Sequence, residues 1–181
     1  MIYFTSDLHF NHDKDFIYRG RGFNSVSDMN EAIIYNWNRT VNAEDTVYVL
    51  GDLMLGDTEA GMRCINALNG EIRVILGNHD TDRRIAEYAR CPKITDIKFA
   101  DRLRISSKHS FYLSHYPVYV HNDADKPLWC LSGHTHSKKI FQEEFPCNYN
   151  VAVDAHECRP VSADEIMLEI SNFRNLCKRQ Q

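Results

Sequence analysis

Thr46-Val47-Tyr48-Val49-Leu50-Gly51-Asp52 is the stretch from which this chain can be read outward. Val47 to Leu50 are apolar without a break, and all but Leu50 are β-branched or aromatic, the pattern of a strand buried on both faces. Gly51 then lets the backbone turn without steric cost, and Asp52 is delivered at the strand's carboxyl end. The design recurs. Ile2-Tyr3-Phe4-Thr5 leads to Ser6-Asp7-Leu8-His9, and the run from Ile72 to Leu76 leads to Gly77-Asn78-His79-Asp80. Phe111 to Ser114 leads to His115, and Leu128 to Ser132 leads to Gly133-His134-Thr135-His136. Five hydrophobic runs thus end in residues that bind metals or move protons, and α/β proteins keep their ligands at such strand ends.

At 181 residues the chain fits one domain, residues 1–181, with room for a core. Its apolar and charged fractions are those of ordinary globular proteins, so disorder is not suggested. A net charge of −4 argues against a broad nucleic-acid surface, which needs clustered Lys and Arg, so no stable nucleic-acid complex is expected. No apolar stretch approaches the ~20 residues that span a bilayer, so no membrane partner is expected either. Met1 leads straight into a strand-like run with no signal-peptide pattern. The six cysteines lie far apart without a Cys-x-x-Cys pair and read as reduced thiols, which points to a cytoplasmic protein.

Between the runs, Phe10 to Phe23 is polar, aromatic and aperiodic, broken by Gly20 and Gly22, and reads as a loop at the site's edge. Ser27 is placed to cap a helix running to about Val41, with Met29, Ile33, Ile34 and Trp37 on one face. Asp57 or Thr58 starts another, with Gly70 as its stop, and a short helix is expected from about Asp82 to Ala89. Short strands follow at Ile97–Phe99, Leu103–Ile105 and Phe111–Ser114, then Tyr149–Val153. Ser162 with Glu165 three residues on is a capping box that opens a last helix. Helices alternate with strands early and strands cluster late. That pattern predicts a mixed α/β (α+β) chain with two packed mixed β-sheets flanked by helices.

The donor inventory is Asp7, His9, Asp52, Asn78, His115, His134 and His136. Asp7 and His9 sit two apart at the end of a strand, where an i, i+2 pair can project onto one side, and His134 and His136 repeat that spacing. Imidazole and oxygen donors without thiolate suit Mn, Fe, Co, Ni or Zn, and there are enough of them for two ions if Asp52 bridges. For His12, His109, His121 and His156 a structural role is expected, although His12 and His121 fall in loops that can border the site.

Asp7-Leu8-His9, Gly51-Asp52, Gly77-Asn78-His79-Asp80, His115 and Gly133-His134-Thr135-His136, in this order, resemble the motif set of the calcineurin-like metallophosphoesterase superfamily. Asn150-Val-Ala-Val-Asp154 and Pro160-Val-Ser162 are also similar to its small bacterial and phage members. The resemblance implies a four-layer αββα sandwich holding two divalent ions, Mn favoured. One would be held by Asp7, His9, Asp52 and His136, and the other by Asp52, Asn78, His115 and His134. It further implies in-line attack on phosphorus by a hydroxide bridging the ions, with His79 as general acid and Asp52 and Asn78 in the catalytic set. The family's motif usually has Glu where Asp80 stands, and Asp80 is expected to orient His79 or meet a helix N-terminus. The implied activity is a phosphodiesterase on small, nucleotide-like substrates. A phosphomonoesterase or nucleotide pyrophosphohydrolase stays within the same class, and a catalytically inactive scaffold protein is the other reading. For substrate contact the expected residues are Asn11, His12, Arg19 and Arg21, one arginine reading a non-scissile phosphate or a carboxylate.

Overall fold

The computed structural model describes residues 1–107, 109–120 and 128–179. In chain order it runs β1 (Ile2–Thr5), α1 (Asp15–Tyr18), α2 (Val26–Thr40), β2 (Thr46–Leu50), α3 (Thr58–Asn66), β3 (Glu71–Ile75) and α4 (Asp82–Tyr88). Then come β4 (Ile94–Lys98), β5 (Ala100–Arg104), β6 (Ser110–Ser114), β7 (Trp129–Ser132), β8 (Asn148–Asn150), β9 (Val161–Ser162) and α5 (Ala163–Arg179). One sheet has the order β4-β3-β2-β1-β9, parallel except where β9 meets β1. The other has the order β5-β6-β7-β8, antiparallel between its first two strands and parallel thereafter. The expected mixed α/β arrangement, two mixed sheets flanked by helices, is what forms.

β2 explains why the sheets meet. Val47 and Val49 join Met29, Ile33 and Trp37 of α2 and Ile65 of α3 in one buried cluster. Tyr48 and Leu50, on the other face, join Phe4, Phe111, Leu113, Leu131 and Ile166 in a second. That second cluster draws on both sheets and on α5. Each fully buried aliphatic or aromatic side chain contributes about 1.5–3 kcal/mol of transfer free energy, so neither face of β2 can be left to water.

Several local expectations shift. Ser25, not Ser27, caps α2, its Oγ accepting from Asp28 N at 3.1 Å, while Ser27 Oγ bonds Glu31. α3 is capped by Asp57 as expected, but ends at Asn66; Gly70 serves the turn into β3 instead. The segment from Phe10 to Phe23 contains the single helical turn α1. The strand expected over Tyr149–Val153 stops at Asn150, and Ala152 instead bridges Ser6, beyond the end of β1. The capping box is present: Ser162 Oγ accepts from Glu165 N at 3.2 Å, and Glu165 Oε2 accepts from Ser162 N at 2.9 Å. All six cysteines are free thiols. Among the described residues no helix is long and apolar enough to cross a membrane.

Candidate metal centre

Pairing between β1 and β2 continues past the ends of both strands. Asp7 N donates to the Gly51 carbonyl, His9 N to that of Asp52 and Phe10 N to that of Leu53, each at 3.0 Å. Across the sheets, His134 N donates to Asp7 Oδ2 at 2.9 Å, beside the Ser6–Ala152 bridge. Asp7, His9, Asp52, His134 and His136 all take left-handed backbone, with φ of 55°, 50°, 58°, 69° and 50°. This corrects the strand-alternation reading of the two i, i+2 pairs, because β1 ends at Thr5 and β7 at Ser132, before the candidate donors begin. Both members of each pair are left-handed, and that repeat aims them together. Such conformations cost about 1–3 kcal/mol each and persist only where the surroundings over-determine them.

Two glycines make room. Gly51 is itself left-handed (φ 91°), and a Cβ there would overlap His115 Nδ1. At Gly133 the demand is space alone, since a Cβ would overlap Ser6 Oγ and Asp7 Oδ2. Gly133→Ala is therefore expected to displace Asp7, lowering stability by about 1–3 kcal/mol and metal affinity by about tenfold or more. Thermal melting with and without Mn²⁺ reads both; wild-type values in both melts would show that the cradle around Asp7 has slack.

Asp52 stands in the middle. Its Oδ1 accepts from His79 N at 2.9 Å, while Oδ2 faces His9 Nε2 at 3.7 Å and His115 Nε2 at 3.6 Å. To one side, His9 Nε2 and His136 Nε2 lie 3.2 Å apart, each 3.8 Å from Asp7 Oδ1. To the other, Asn78 Oδ1 lies 2.9 Å from His115 Nε2 and 3.1 Å from His134 Nδ1. All seven expected donors are thus brought together. Asp7 is fully buried, and its Oδ1 has no hydrogen-bond partner. A buried carboxylate oxygen without a partner is destabilising, and a cation is the partner that this oxygen, ringed by imidazoles, can accept. Two groups, Asp7/His9/His136 and Asp7/Asp52/His115, have donor atoms within 4.8 Å of one another and could each hold a metal ion.

Neighbours aim the rings. His115 Nδ1 lies 2.8 Å from the Leu50 carbonyl and His136 Nδ1 lies 3.2 Å from Asp154 Oδ2. With Nδ1–H donating to these acceptors, each Nε2 lone pair is left facing the centre. Burial, with the charges of Arg21 and His136 next, holds His9 well below the ordinary imidazole range. Burial also lowers His134, and it raises Asp52 against the opposing pull of His115. His136 is raised, chiefly by its bond to Asp154. Neutral imidazoles around buried carboxylates are the state in which a cation is bound. Asp80 does not do what was expected of it. Its Oδ2 accepts from Asp52 N at 2.9 Å and Gly77 N at 2.8 Å, and its Oδ1 from Tyr88 Oη at 2.8 Å, so it pins the backbone of Asp52 and leaves the His79 ring alone.

Above the donors opens a cleft of about 510 Å³, and His12 is on its wall. The other residues expected at the substrate are placed away from the cleft wall. Asn11 Nδ2 donates to the Asp57 carbonyl, and Arg19 pairs with Asp15 on the surface; neither lines the cleft. Arg21 is spent inside the protein, its side chain 2% exposed. Its Nε and Nη2 grip Asp154 at 3.1 and 2.9 Å, while Nη2 and Nη1 donate to the carbonyls of Asp7 and Leu8 at 2.7 and 3.1 Å. Asp154 responds: burial would raise it, but its bonds to His136 and Arg21 outweigh that and hold it low. Sequence reasoning gave Asp154, Phe16 and Lys138 no role in the site, though Asn150-Val-Ala-Val-Asp154 has the same run-then-carboxylate design as β2. His156 is structural as expected, buried with Nε2 2.7 Å from the Asn150 carbonyl, and His109 is tied to Ser106. His121 lies outside the described residues.

No protein-family model matches this chain. MJ1445 of Methanocaldococcus jannaschii, described as an uncharacterized protein, is 34% identical over 180 residues, covering 92% of this chain and 89% of its own. The chain belongs to the MJ1445 family. The gene 66 proteins of Mycobacterium phages D29 and L5 are each 30% identical to this chain, over 91% of it and 93% and 91% of their own lengths. Among solved structures, the protein of unknown function AQ665 from Aquifex aeolicus superposes with a TM-score of 0.67 at 25% identity, over 92% of this chain and 97% of its own. Such full-length coverage places this MJ1445-family chain on the same overall fold as AQ665.

Proposed function

We propose that this chain is a metal-dependent phosphoesterase of the calcineurin-like superfamily, with its two sheets and helices stacked as an αββα sandwich, and that it cleaves small phosphodiesters. The observation that supports this most is Asp52 Oδ2, poised between two imidazole groups with the unpartnered Asp7 Oδ1 close by. Asp7, His9, Asp52 and His136 would hold one divalent ion, and Asp52, Asn78, His115 and His134 a second. Their nitrogen and oxygen donors fit Mn, Fe, Co, Ni or Zn, with Mn favoured. When bound, such a pair neutralises phosphoryl charge and makes water nucleophilic at neutral pH.

The protein's own groups supply the rest. His79 Nε2 lies 4.0 Å from Asp52 Oδ2, and its side chain is 41% exposed on the cleft wall, free to reach a leaving group. Its backbone N–H is tied to Asp52 Oδ1, so the ring stays beside the donors without being one of them. It would protonate the departing alkoxide from Nε2. The first test is hydrolysis of bis(p-nitrophenyl) phosphate with Mn²⁺ supplied, which EDTA should stop. His79→Ala is expected to keep its metals while losing about 10²–10⁴ in rate, most severely with poor leaving groups. Lost metal would move His79 into the ligand set. A wild-type protein inert with all five metals and with mono- and diesters alike would end the phosphoesterase reading.

A further inference from the structure

The one-turn helix α1 carries a large apolar ring that the fold does not use. Ile17 and Tyr18 are buried in the core beneath it, and Tyr18 Oη and Arg19 Nε both donate to Asp15. The turn is therefore anchored, yet Phe16 is 74% exposed and lines the cleft mouth. Its ring meets His12 edge-on, with centroids 5.8 Å apart and planes at 86°. His12 in turn lies 5.2 Å from His9, so a row of rings leads from the mouth to the metal donors. On the cleft wall beyond His136 stands Lys138, which makes no ion pair among the described residues.

Resting on the phosphoesterase reading, we propose that Phe16 is the platform on which a nucleobase stacks, and that Lys138 meets a further, non-reacting phosphate. Within the nucleotide-like substrates that the resemblance implies, these two residues would be what selects a base and a second phosphate. An exposed aromatic face takes any base by stacking, and a lysine is a point charge suited to phosphate without demanding one geometry. The cleft's size is that of a small-molecule site. Among the described residues its lining offers two large apolar side chains, Phe16 and Ile17, a small wall for an acyl chain. A ring on one element and a cation on another, with phosphate-binding chemistry in the same cleft, match a nucleotide.

Two esters with the same leaving group separate this inference from the reading beneath it: p-nitrophenyl thymidine 5′-phosphate and methyl p-nitrophenyl phosphate. Wild type is expected to favour the nucleoside ester in kcat/KM by about tenfold or more, Phe16→Ala to erase that preference through KM, and Phe16→Trp to keep it. The methyl ester should be cleaved equally by all three, and the melting temperature should not move, because the ring is exposed. Isothermal titration of the Mn²⁺-loaded protein with AMP and with inorganic phosphate gives an answer independent of turnover. Phe16→Ala should weaken AMP about tenfold and leave phosphate unchanged, and Lys138→Ala should weaken ADP more than AMP. If neither ester is cleaved, the diesterase part of the reading falls while AMP binding still judges the platform. Equal losses for AMP and phosphate, or none for either, overturn the role of Phe16; equal losses for ADP and AMP overturn that of Lys138.

Discussion

Asp52→Asn should fold as well as the wild type, or slightly better, and bind metal far worse. The amide keeps an oxygen at the Oδ1 position to accept from His79 N, so the backbone around residue 79 has no reason to move. What disappears is a carboxylate that burial already disfavours, facing a second buried carboxylate, Asp7. Replacing a buried, poorly compensated charge by a neutral isostere is neutral or stabilising in the absence of its counter-ion. The counter-ion decides the rest. For the wild type, a metal at 100 times its dissociation constant adds about 2.7 kcal/mol to stability, a rise of about 5–10 °C in melting temperature for a chain of this size. The variant should lose most of that rise. Hydrolysis of bis(p-nitrophenyl) phosphate should fall by about 10³-fold or more, the equivalent of about 4 kcal/mol of transition-state stabilisation. Melting scans with and without Mn²⁺, metal analysis of the loaded protein and initial rates read these effects together. A variant that melts like wild type in metal and turns over at the same rate would remove Asp52 from the centre.

The donor set was legible because each member follows a hydrophobic run, and a run long enough to be a buried strand fixes where its end must lie. Val47 to Leu50 show this best: their alternation between two clusters is written in four residues, and Asp52 follows two positions on. The left-handed turns were not legible. Reading Asp7 and His9 as alternate positions of a pleat is a local argument, whereas their backbone is held by the Gly51 and Asp52 carbonyls just beyond β2. Ser25 and Ser27 differ by two positions and both suit a helix start, so the cap is settled only by which hydroxyl meets an amide. In the sequence Asp80 is seen only beside His79 and ahead of a helix, whereas its partners, Asp52 N and Tyr88 Oη, are neighbours in space. Arg21 follows the same rule. A basic residue between two glycines in a polar segment reads as available to a substrate, and the carboxylate that claims it is 133 positions away.

Arg21→Ala should therefore act on the whole molecule before it acts on any substrate. Among the described residues the guanidinium is the only cation set against Asp154 besides the His136 ring, and both Arg21 and Asp154 are nearly buried. Removing one member of such a pair leaves an uncompensated buried charge, a loss of about 3–5 kcal/mol, or about 6–20 °C in melting temperature. The same truncation frees the Asp7 and Leu8 carbonyls and loosens the turn that presents Asp7 and His9, so metal affinity should fall as well. Arg21→Lys keeps the charge but cannot grip two carboxylate oxygens and two carbonyls at once, and should recover only part of the loss. Arg21→Ala combined with Asp154→Ala should be more stable than Arg21→Ala alone, because the stranded charge is gone. It should still bind metal poorly, because His136 has lost the acceptor that fixes its ring. Denaturant unfolding and metal titration of the four proteins separate the two effects. An Arg21→Ala protein with unchanged melting temperature and a raised KM would instead return Arg21 to the substrate.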